Sequence, residues 1–352
     1  MKKNSKRNLH FYSDVHLQSA YLTLINNRKH FPHNSDIWHF RANWKTIKQK
    51  ITMQLKNGQY QFKPMQNIKK NDGSFCAIWS SDDAFVLILL TQYLSAVLPV
   101  HPRCEHVSGN GGGKVSVQHL DKLIQQKSHS YICRTDIKGY YANINKIRLL
   151  EQLRQYVSDH IILDLLYQFL YYSVESGGLF HTPKKGIPRS SALSPLLGAF
   201  YLYQIDQHFA QQNNLYYARY MDDFIILTRS RWQLRRAVAS LNQFFAYFQF
   251  HQHPNKTFIG KINKGFDWMG VWFTHLGAVD IAPRARSNKA NTLLRLYVRT
   301  QHLPDPLRVV KVKQYLARWE RWKTSILTLT SPSLLSPFSV PVRPVVVCLQ
   351  LE

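Results

Sequence analysis

Residues 216 to 228 read YYARYMDDFIILT and place two adjacent carboxylates, Asp222 and Asp223, between runs of strand-forming residues. Successive side chains of a strand point to opposite faces, so a tight turn at the doublet is one of few ways to present both acids near one point. Burying unpaired carboxylates is costly, and such a cluster therefore needs a cation. The segment predicts two strands joined at the acidic pair.

A second acidic doublet, at residues 82–83, shows that adjacency alone proves little. It follows Ser80 and Ser81 and precedes a long apolar run. This context predicts helix capping and a favourable position on the helix dipole. The pair at 222–223 has no such explanation, because strand-forming residues flank it on both sides.

The charge of the chain indicates its partner. Lys and Arg number 46 against 20 Asp and Glu, a formal net charge of +26. A polyanion would offset the self-repulsion, and nucleic acid is the first candidate. An anionic membrane surface is the rival, but no apolar run reaches the roughly 18 residues of a bilayer span. The basic start MKKNSKRNLHFYS has no apolar signal-peptide core, so we expect a cytoplasmic protein with no membrane partner.

The cysteines and histidines do not predict a soft-ligand metal site. The four cysteines, Cys76, Cys104, Cys133 and Cys348, are scattered without a C-x-x-C pair, which indicates neither a zinc site nor a disulfide framework. The 16 histidines also lack metal-ligand spacing. We interpret most of them as surface residues or as residues that face nucleic acid.

A glycine-rich stretch, GNGGGK, occupies residues 109–114. Glycine-rich backbone can cradle phosphates, but the spacing fails the nucleotide-hydrolase pattern, and Val115 stands where Ser or Thr is required. Two interpretations remain open. One is a loop whose amides and Lys114 contact a nucleic-acid phosphate, and the other is a plain connector.

Hydrophobic spacing predicts a mixed fold. Apolar residues at helical spacing predict a helix over 44–55, followed by a strand pair with a hairpin turn at 71–73. From residue 131 the predicted order is a strand, two helices, two strands around the acidic pair, an amphipathic helix and a strand. This order describes an antiparallel sheet backed by helices, an α+β fold. One face of the amphipathic helix carries Leu234, Ala237, Val238, Leu241 and Phe245.

The nearest candidate for a third carboxylate is Asp136, near the end of a predicted buried strand. Converging carboxylates are hard oxygen ligands, which select Mg²⁺ or Mn²⁺. Two such ions, roughly 4 Å apart, serve in-line phosphoryl transfer. For a strongly basic chain, the expected substrates are a nucleic-acid end and a nucleoside triphosphate, which is polymerase chemistry.

Five segments carry a resemblance to one enzyme family. In order they are RTDIKGYYANI, GIPRSSALSPLLGAFYL, YMDD, HPNKT and FDWMGVWF. Over residues 59–273 the chain resembles bacterial reverse transcriptases related to group II intron and retron enzymes. The resemblance implies a right-hand polymerase with fingers, an antiparallel-sheet palm and a helical thumb. It divides the chain into an N-terminal region with fingers at 1–130, a palm at 131–280, a basic thumb at 281–330 and a tail of unclear role at 331–352.

The resemblance also assigns the metal site. Asp136, Asp222 and Asp223 match the family's catalytic carboxylates and metal ligands, and the Ile137 carbonyl is the implied backbone ligand. We expect Asp136 and Asp222 to be the principal ligands and Asp223 to be a supporting charge. The implied cofactor is Mg²⁺, or Mn²⁺, and the implied substrates are dNTPs.

Other matched positions imply contacts to the nucleotide and the primer. Tyr141 falls at the family's steric gate, where a bulky ring clashes with a ribose 2′-OH; the alternative is a packed core tyrosine. Lys256 is either a general acid toward pyrophosphate or a simple phosphate contact. Met221 is expected near the primer end. Met269 and Gly270 stand in the segment that resembles the primer grip.

The nucleotide-binding segments depart from the family pattern. Pro188-Arg189-Ser190 stands where Pro-Gln-Gly is usual, so a cation replaces a neutral amide beside the nucleotide. Lys69 and Lys70 are available in the fingers, but GSFCAIW has no Arg where one is expected. We therefore expect Arg189 to be a compensating charge for the triphosphate.

The sequence predicts an RNA-directed DNA polymerase that acts on an RNA template with a nucleic-acid primer or duplex. It resembles defence-associated and retroelement enzymes, which work with a dedicated non-coding RNA or a partner protein, and it is compatible with an oligomer. One alternative is a maturase-like RNA-binding splicing cofactor, against which the intact aspartates argue. The other is an RNA-dependent RNA polymerase, which would not usually place a bulky aromatic at Tyr141.

Overall fold

The structure is a computed structural model that describes residues 11–69, 73 and 75–327. Lys70, most of the predicted turn at 71–73 and the predicted tail at 331–352 lie outside the described residues. The helices are α1 (Asp14–Arg28), α2 (Asp36–Ala42), α3 (Trp44–Lys56), α4 (Ser81–Ser95), α5 (Gly112–Gln125), α6 (Tyr140–Asn143), α7 (Lys146–Arg154), α8 (His160–Leu170), α9 (Leu193–Tyr201), α10 (Tyr203–Ala210), α11 (Arg231–Phe248), α12 (Pro283–Arg299) and α13 (Asp305–Leu327). The strands are β1 (Met65–Lys69), β2 (Phe75–Ile78), β3 (Tyr131–Asp136), β4 (Val174–Ser176), β5 (Leu179–His181), β6 (Leu215–Tyr220), β7 (Asp223–Thr228), β8 (Phe258–Lys261), β9 (Phe266–Trp268), β10 (Val271–Thr274) and β11 (Gly277–Ile281).

A four-stranded antiparallel sheet, in the order β6-β7-β3-β8, carries the predicted acidic residues. The strands β6 and β7 form the predicted hairpin, in which Tyr220 pairs with Asp223 across a turn made by Met221 and Asp222. The strand β3 lies beside β7, with Asp136 opposite Asp223. The prediction of an α+β fold with an antiparallel sheet is confirmed. All three carboxylates lie at one end of the sheet, where β3 ends and β7 begins.

The amphipathic helix α11 packs on β3 and β7. A capping box begins the helix: the Ser230 side chain accepts from the Gln233 N–H, and the Gln233 side chain accepts from the Ser230 N–H. The predicted apolar face is the one that packs, because the sheet leaves its own apolar side chains on that side. Leu234, Ala237, Leu241 and Phe245 are buried, and Val238 is partly buried.

A second, three-stranded antiparallel sheet, in the order β11-β10-β9, follows the first along the chain. Together with α5, α13 and one face of the four-stranded sheet it forms a second apolar core, to which α5 contributes Val117, α13 contributes Ile326 and β7 contributes Ile225. Trp268 of β9 is fully buried there and donates from Nε1 to Ser116 Oγ at 2.8 Å. This core fixes the segment that resembles the primer grip against α5.

The third sheet, in the order β2-β1-β4-β5, combines two strands from the N-terminal region with two strands from residues 174–181, within the range predicted as palm. The strand β1 pairs antiparallel with β2, as predicted, and parallel with β4, which was not predicted. The hydroxyl of Ser190 donates to the Ala77 carbonyl of β2. This hydrogen bond ties the sheet to the loop that carries Arg189.

The doublet at 82–83 has the structural role that its sequence context predicts. The Ser80 side chain caps α4 and accepts from the Asp83 N–H at 3.1 Å. Asp83 is buried, and burial raises the pKa of its carboxyl group. Its carboxylate accepts from the Tyr60 hydroxyl at 2.8 Å and from the Lys63 N–H at 3.2 Å. These hydrogen bonds satisfy the buried Asp83 carboxylate without a metal ion.

The helices α12 and α13 make up most of the predicted basic region at 281–330 and pack on each other. The Trp322 ring of α13 packs directly on Gly270, since a Cβ added at Gly270 would lie only 3.1 Å from that ring. The Ala282 N–H, just before α12, donates to the Gly270 carbonyl at 2.9 Å. None of the helices among the described residues is long and apolar enough to cross a membrane.

Candidate active site

The predicted carboxylates come together at one end of the central sheet. Asp136 ends β3, Asp222 lies in the hairpin turn and Asp223 begins β7. Each offers an oxygen that lies within 4.8 Å of an oxygen of the other two. Asp136 is only 3% exposed, whereas Asp222 and Asp223 are partly exposed. The Ile137 N–H donates to the Asp222 carbonyl at 3.1 Å and fixes the turn relative to β3.

The hairpin turn has an unusual backbone at Met221. Its φ is +55°, in the left-handed region that non-glycine residues seldom adopt. Two hydrogen bonds hold it there: the Met221 N–H donates to His106 Nδ1 at 3.0 Å, and the Met221 carbonyl accepts from Arg219 Nη1 at 2.8 Å. The turn is therefore fixed from both sides, and Asp222 is presented at its tip.

Sequence reasoning missed His106. Its Nε2 lies 3.2 Å from the Pro195 carbonyl, and its Nδ1 accepts from Met221. Burial and the nearby Arg219 lower the pKa of His106 to about 4. The imidazole is therefore neutral at pH 7, with the proton on Nε2, and it connects the start of α9 to the turn at Met221 and Asp222. Its hydrogen-bond partners are 89 and 115 residues away, so no local pattern could have indicated this role.

A buried ion pair below the turn was also missed. Arg219 donates to Asp206 from Nε at 2.8 Å and from Nη2 at 2.5 Å, and both side chains are 0% exposed. Arg219 also donates to the Ala199 carbonyl at 3.0 Å, and Asp206 accepts from the Tyr217 hydroxyl at 2.6 Å. An Arg within the apolar strand YYARY was the available signal. The pair joins α9, α10 and β6 directly beneath the Met221 turn.

Arg134 and Lys256 compensate the negative charge of the carboxylates only in part. The pKa of Asp223 is raised to about 6 by burial, with Asp136 and Asp222 adding to the rise and Arg134 and Lys256 opposing it. Burial and the charge of Asp136 likewise raise the pKa of Asp222. Both effects favour a bound cation, because a cation would stabilise the ionised carboxylates.

Arg134 is a third site residue that the sequence did not reveal. Its Nη2 lies 3.4 Å from Asp223 Oδ1 and 3.4 Å from Asp267 Oδ2, and its side chain is 8% exposed. Its Nη1 donates to the Lys256 carbonyl at 2.6 Å. The single guanidinium therefore joins the β6–β7 hairpin, the segment at Lys256 and the strand β9.

Lys256 lies at the end of a short 3-10 turn, Pro254–Lys256. The His253 N–H, just before this turn, donates to the Asp136 carbonyl at 2.8 Å. The Lys256 Nζ lies 2.5 Å from Asp136 Oδ2. Lys256, the predicted phosphate contact, thus lies at the carboxylate cluster, where its positive charge partly neutralises the carboxylates.

The predicted steric gate, Tyr141, lies beside the cluster. Its ring packs against Gly198 of α9, where an added Cβ would lie 3.1 Å from Tyr141 Cε1. Burial and the charge of Asp222 raise the pKa of Tyr141 to about 12, so the hydroxyl is protonated at pH 7. The Ile187 N–H donates to the Tyr141 carbonyl at 2.9 Å, and Gly186, at φ +83°, has no room for a side chain over that carbonyl.

The segment after Gly186 brings the next predicted residues to the site. Pro188 is buried, and its carbonyl accepts from the Ser194 hydroxyl. Arg189 is exposed, and its charge lowers the pKa of both Asp222 and Tyr141. Arg189 therefore lies close enough to Asp222 and Tyr141 for its charge to act on both.

Two predicted triphosphate contacts are not joined to this site. Lys69 is exposed at the end of β1 and forms no ion pair within the described part of the chain. Lys70 lies outside the described residues. Within the described chain, Arg189 and Lys256 are the predicted cations whose charges act on the aspartates.

The glycine-rich stretch begins a helix and is less loop-like than expected. The helix α5 starts at Gly112, and Gly111 precedes it at φ +96°. An added Cβ at Gly113 would lie 3.6 Å from the Tyr220 ring and 3.7 Å from Met269 Sδ. The stretch therefore allows α5 to begin close to the β6–β7 hairpin and the Met269 turn.

The donor set fits a hard divalent cation. Three carboxylates converge, and among the described residues Asp223 Oδ1 is a buried oxygen with no hydrogen-bond partner. Oxygen ligands of this kind suit Mg²⁺ or Mn²⁺, whereas a zinc site would favour nitrogen or sulfur. The raised pKa values of Asp222 and Asp223 agree with this fit.

The antiparallel sheet with its gathered carboxylates is the arrangement that the sequence motifs implied. The family model described as reverse transcriptase (RNA-dependent DNA polymerase) matches residues 37–273, well over half of the chain. The chain belongs to this family, and the predicted resemblance is confirmed. Because the chain belongs to this family, its four-stranded sheet corresponds to the palm of a polymerase.

Curated proteins that the chain resembles include intron-encoded proteins. It is 26% identical over 169 residues to the group II intron-encoded protein LtrA of Lactococcus lactis subsp. cremoris, covering 46% of this chain and 28% of that protein. It is 23% identical over 175 residues to a putative COX1/OXI3 intron 1 protein of Saccharomyces cerevisiae, covering 47% and 21%. It is 21% identical over 174 residues to the protein YkfC of Escherichia coli, covering 40% and 46%. The chain thus spans less than half of each relative.

Proposed function

We propose that this chain is an RNA-directed DNA polymerase that extends a nucleic-acid 3′-hydroxyl with dNTPs along an RNA template. The observation that carries the proposal is the convergence of Asp136, Asp222 and Asp223 on a rigid hairpin and the adjoining strand end. A protein that only binds RNA gains nothing from three clustered like charges, because they repel both each other and the phosphates. Membership of the reverse transcriptase family supports the same conclusion.

Asp136 and Asp222 are the proposed principal ligands of two Mg²⁺ ions, with the Ile137 carbonyl as a further ligand and Asp223 as a supporting charge. The bound ions would supply Lewis-acid activation of the 3′-hydroxyl and charge stabilisation at the pyrophosphate. Arg134 holds Asp223 at 3.4 Å, which suits a carboxylate whose task is electrostatic. The fixed Met221 turn orients Asp222, so that little reorganisation is required on binding.

Tyr141 is the proposed sugar gate. Its ring is braced by Gly198 and by the backbone at 186–187, so it cannot easily move away from a 2′-hydroxyl. It also lies close enough to Asp222 for that charge to affect its pKa. A braced ring at this position would favour dNTPs over NTPs, which argues against an RNA-dependent RNA polymerase.

Arg189 and Lys256 are the proposed triphosphate contacts. Arg189 is exposed and acts electrostatically on Asp222, so it can receive a phosphate from the solvent side. Lys256 binds Asp136 at 2.5 Å and would have to exchange that carboxylate for a phosphate oxygen. Its amine is then placed to give a proton to pyrophosphate. Lys69 and Lys70 are proposed as outer contacts from the fingers, and Met221 and Pro188 as neighbours of the primer end and the nucleotide.

A right-hand division of the chain belongs to the same proposal. We propose the N-terminal helices and outer sheet as fingers, the central sheet as palm, and α12 with α13 as a thumb that lies along the template–primer phosphates. The thumb cations without a carboxylate partner within the described residues are Arg284, Arg295, Arg299, Lys311, Lys313, Arg318 and Arg321.

The relatives indicate the biological setting. Two of them are named as intron-encoded proteins, one explicitly of a group II intron. We therefore propose that the enzyme serves a bacterial retroelement or a defence system derived from one, with a dedicated RNA as template. A splicing cofactor of maturase type is the second candidate, supported by the same names and by the basic helices α12 and α13.

The test is nucleotide incorporation by purified protein with Mg²⁺, a primed RNA template and labelled dNTPs or NTPs. We expect dNTP incorporation by the wild type, none by Asp222→Ala and a trace by Asp223→Glu. Asp82→Asn is the matched control, because this acid belongs to the other doublet and pairs with Lys63. RNA binding without incorporation from any primed template would support the splicing cofactor, and incorporation of NTPs alone would support an RNA polymerase.

A further inference from the structure

A groove lies between helix α11 and the strand β8. Its walls include Arg231 and Arg235 from the helix, Lys261 from the strand, and Lys264 from the short turn after it. Tyr131, the first residue of β3, also lines it. Within the described residues β8 pairs with β3 alone, so it is an edge of the central sheet and the groove runs along that edge.

The charge of the groove is of one sign. Residues 224–266 contain seven Lys and Arg and no Asp or Glu. The four cations of the wall, Arg231, Arg235, Lys261 and Lys264, are exposed and form no ion pair within the described chain. Like charges gathered without counter-charges are unfavourable unless a polyanion binds them. This groove therefore fits a chain of phosphates.

The groove is separate from the catalytic site. Lys261 pairs with Tyr131 at the start of β3, whereas Asp136 is at its end. Five residues of strand, at about 3.3 Å each, separate the two places by roughly 17 Å. A template–primer duplex on the carboxylates would therefore leave the groove free for another stretch of nucleic acid.

Aromatic rings accompany the cations. Trp232 is 67% exposed beside Arg231 at the start of α11, and Tyr131 lies partly exposed in the groove wall. Tyr131 lines the groove, and Trp232 lies next to the wall residue Arg231. Exposed rings beside cations bind single strands, because unpaired bases stack on the rings while the cations contact the backbone. A duplex would keep its bases from both rings, so the geometry favours a single strand.

We propose that the groove formed by α11 and β8 is a second nucleic-acid site, which binds a single-stranded segment of RNA while the palm holds a template–primer. Arg231, Arg235, Lys261 and Lys264 contact the phosphates, and Trp232 and Tyr131 stack on bases. The site goes beyond the proposed polymerase activity and does not depend on it. An acidic peptide that adds a strand to the open edge of β8 is the rival occupant.

The experiment measures binding of a fluorescent 12-nucleotide oligouridylate to the full chain, with the palm saturated by an unlabelled primed duplex. The test variant carries Arg231→Gln, Arg235→Gln, Lys261→Gln and Lys264→Gln. The control carries Lys29→Gln, Lys45→Gln, Lys50→Gln and Lys56→Gln, which remove the same charge from exposed positions on and beside other helices. Extension of a short primed template, which should be the same in both variants, reports correct folding.

We expect the test variant to bind the oligouridylate at least about tenfold more weakly than the control, and the slope of log K against log salt to fall by about 3. Trp232→Ala alone should weaken binding by about tenfold without changing that slope. Equal affinities of the test and control variants would overturn the proposal. So would displacement of the oligouridylate by a poly-glutamate peptide of equal length at a lower concentration than unlabelled oligouridylate requires. Loss of extension in the wild type would refute the polymerase activity alone.

Discussion

The guanidinium of Arg134 lies 3.4 Å from the carboxylate of Asp223. Arg134 stands two residues before Asp136 in β3, the strand next to the one that Asp223 begins. The same guanidinium lies 3.4 Å from Asp267 in β9. A carboxylate of the acidic cluster is thus connected through one buried cation to the segment that resembles the primer grip.

Arg134→Gln should lower both stability and activity. Breaking a buried ion pair by removing one partner costs about 3 to 5 kcal/mol, and here two carboxylates lose their partner. We expect a lower melting temperature and at least about a tenfold lower rate of dNTP incorporation at saturating Mg²⁺. Arg154→Gln, an exposed change on α7, is the control. Wild-type values for both quantities would show that Arg134 is dispensable.

The stability of the metal-free protein should depend on Asp223. Its pKa is raised from 3.8 to about 6, so between these values the folded state binds more protons than the unfolded state. Its contribution to the free energy of unfolding therefore falls as pH rises through this window. Thermal unfolding in chelator measures this effect. From pH 4 to pH 7, the free energy of unfolding of Asp223→Asn should rise relative to that of the wild type by on the order of 1 to 3 kcal/mol. A difference independent of pH would contradict this.

His106→Ala should slow catalysis and leave nucleotide binding nearly intact. The change removes the acceptor that holds the Met221 N–H, so Asp222 is oriented less well. A hydrogen bond of this kind contributes about 1 kcal/mol, which corresponds to about a five- to tenfold lower kcat with an unchanged KM for dNTPs. Steady-state kinetics would measure both, with His129→Ala as a control at the other end of β3. A change confined to KM would assign His106 to nucleotide binding.

Tyr141→Ala should relax sugar selection. Removing the ring opens the space beside Gly198 that it now fills. Steric discrimination of this size corresponds to about a ten- to hundredfold change in preference. Competition between ATP and dATP on a primed RNA template would measure it. An unchanged ratio would indicate the alternative, that Tyr141 is a packed core residue.

Arg189→Gln should raise the apparent KM for dNTPs by about tenfold, because a charge-assisted contact to the triphosphate is lost. Metal binding should be spared, since the aspartates keep their positions. Kinetics with varied dNTP and varied Mg²⁺ separate the two effects. Lys185→Gln, an exposed change in the same loop, is the matched control. Unchanged dNTP kinetics would remove Arg189 from the list of triphosphate contacts.

Local patterns predicted the parts of the site that are encoded in short stretches. The strands around residues 222–223 are rich in β-forming residues, so the hairpin followed directly from the sequence. Asp136 was located because its strand is apolar and ends at that residue. The helix α11 was located because its apolar face repeats at helical spacing.

The supporting residues could not be predicted because their partners are distant in sequence. Arg134 contacts Lys256 across 122 residues, and His106 contacts Met221 across 115. A short exposed hairpin, β4 with β5, was missed for another reason: its three-residue strands are mostly exposed and carry no alternating pattern. Contacts of this kind depend on tertiary packing, which spacing rules do not contain.

The buried pair of Arg219 and Asp206 limits the routes by which this protein can change over generations. Replacing either residue first would leave the other charge alone in a site with no exposure, at a cost of about 3 to 5 kcal/mol. That cost is comparable with the whole stability of many domains. Descendants of this chain should therefore retain both residues or have lost both, with few lineages observed in between.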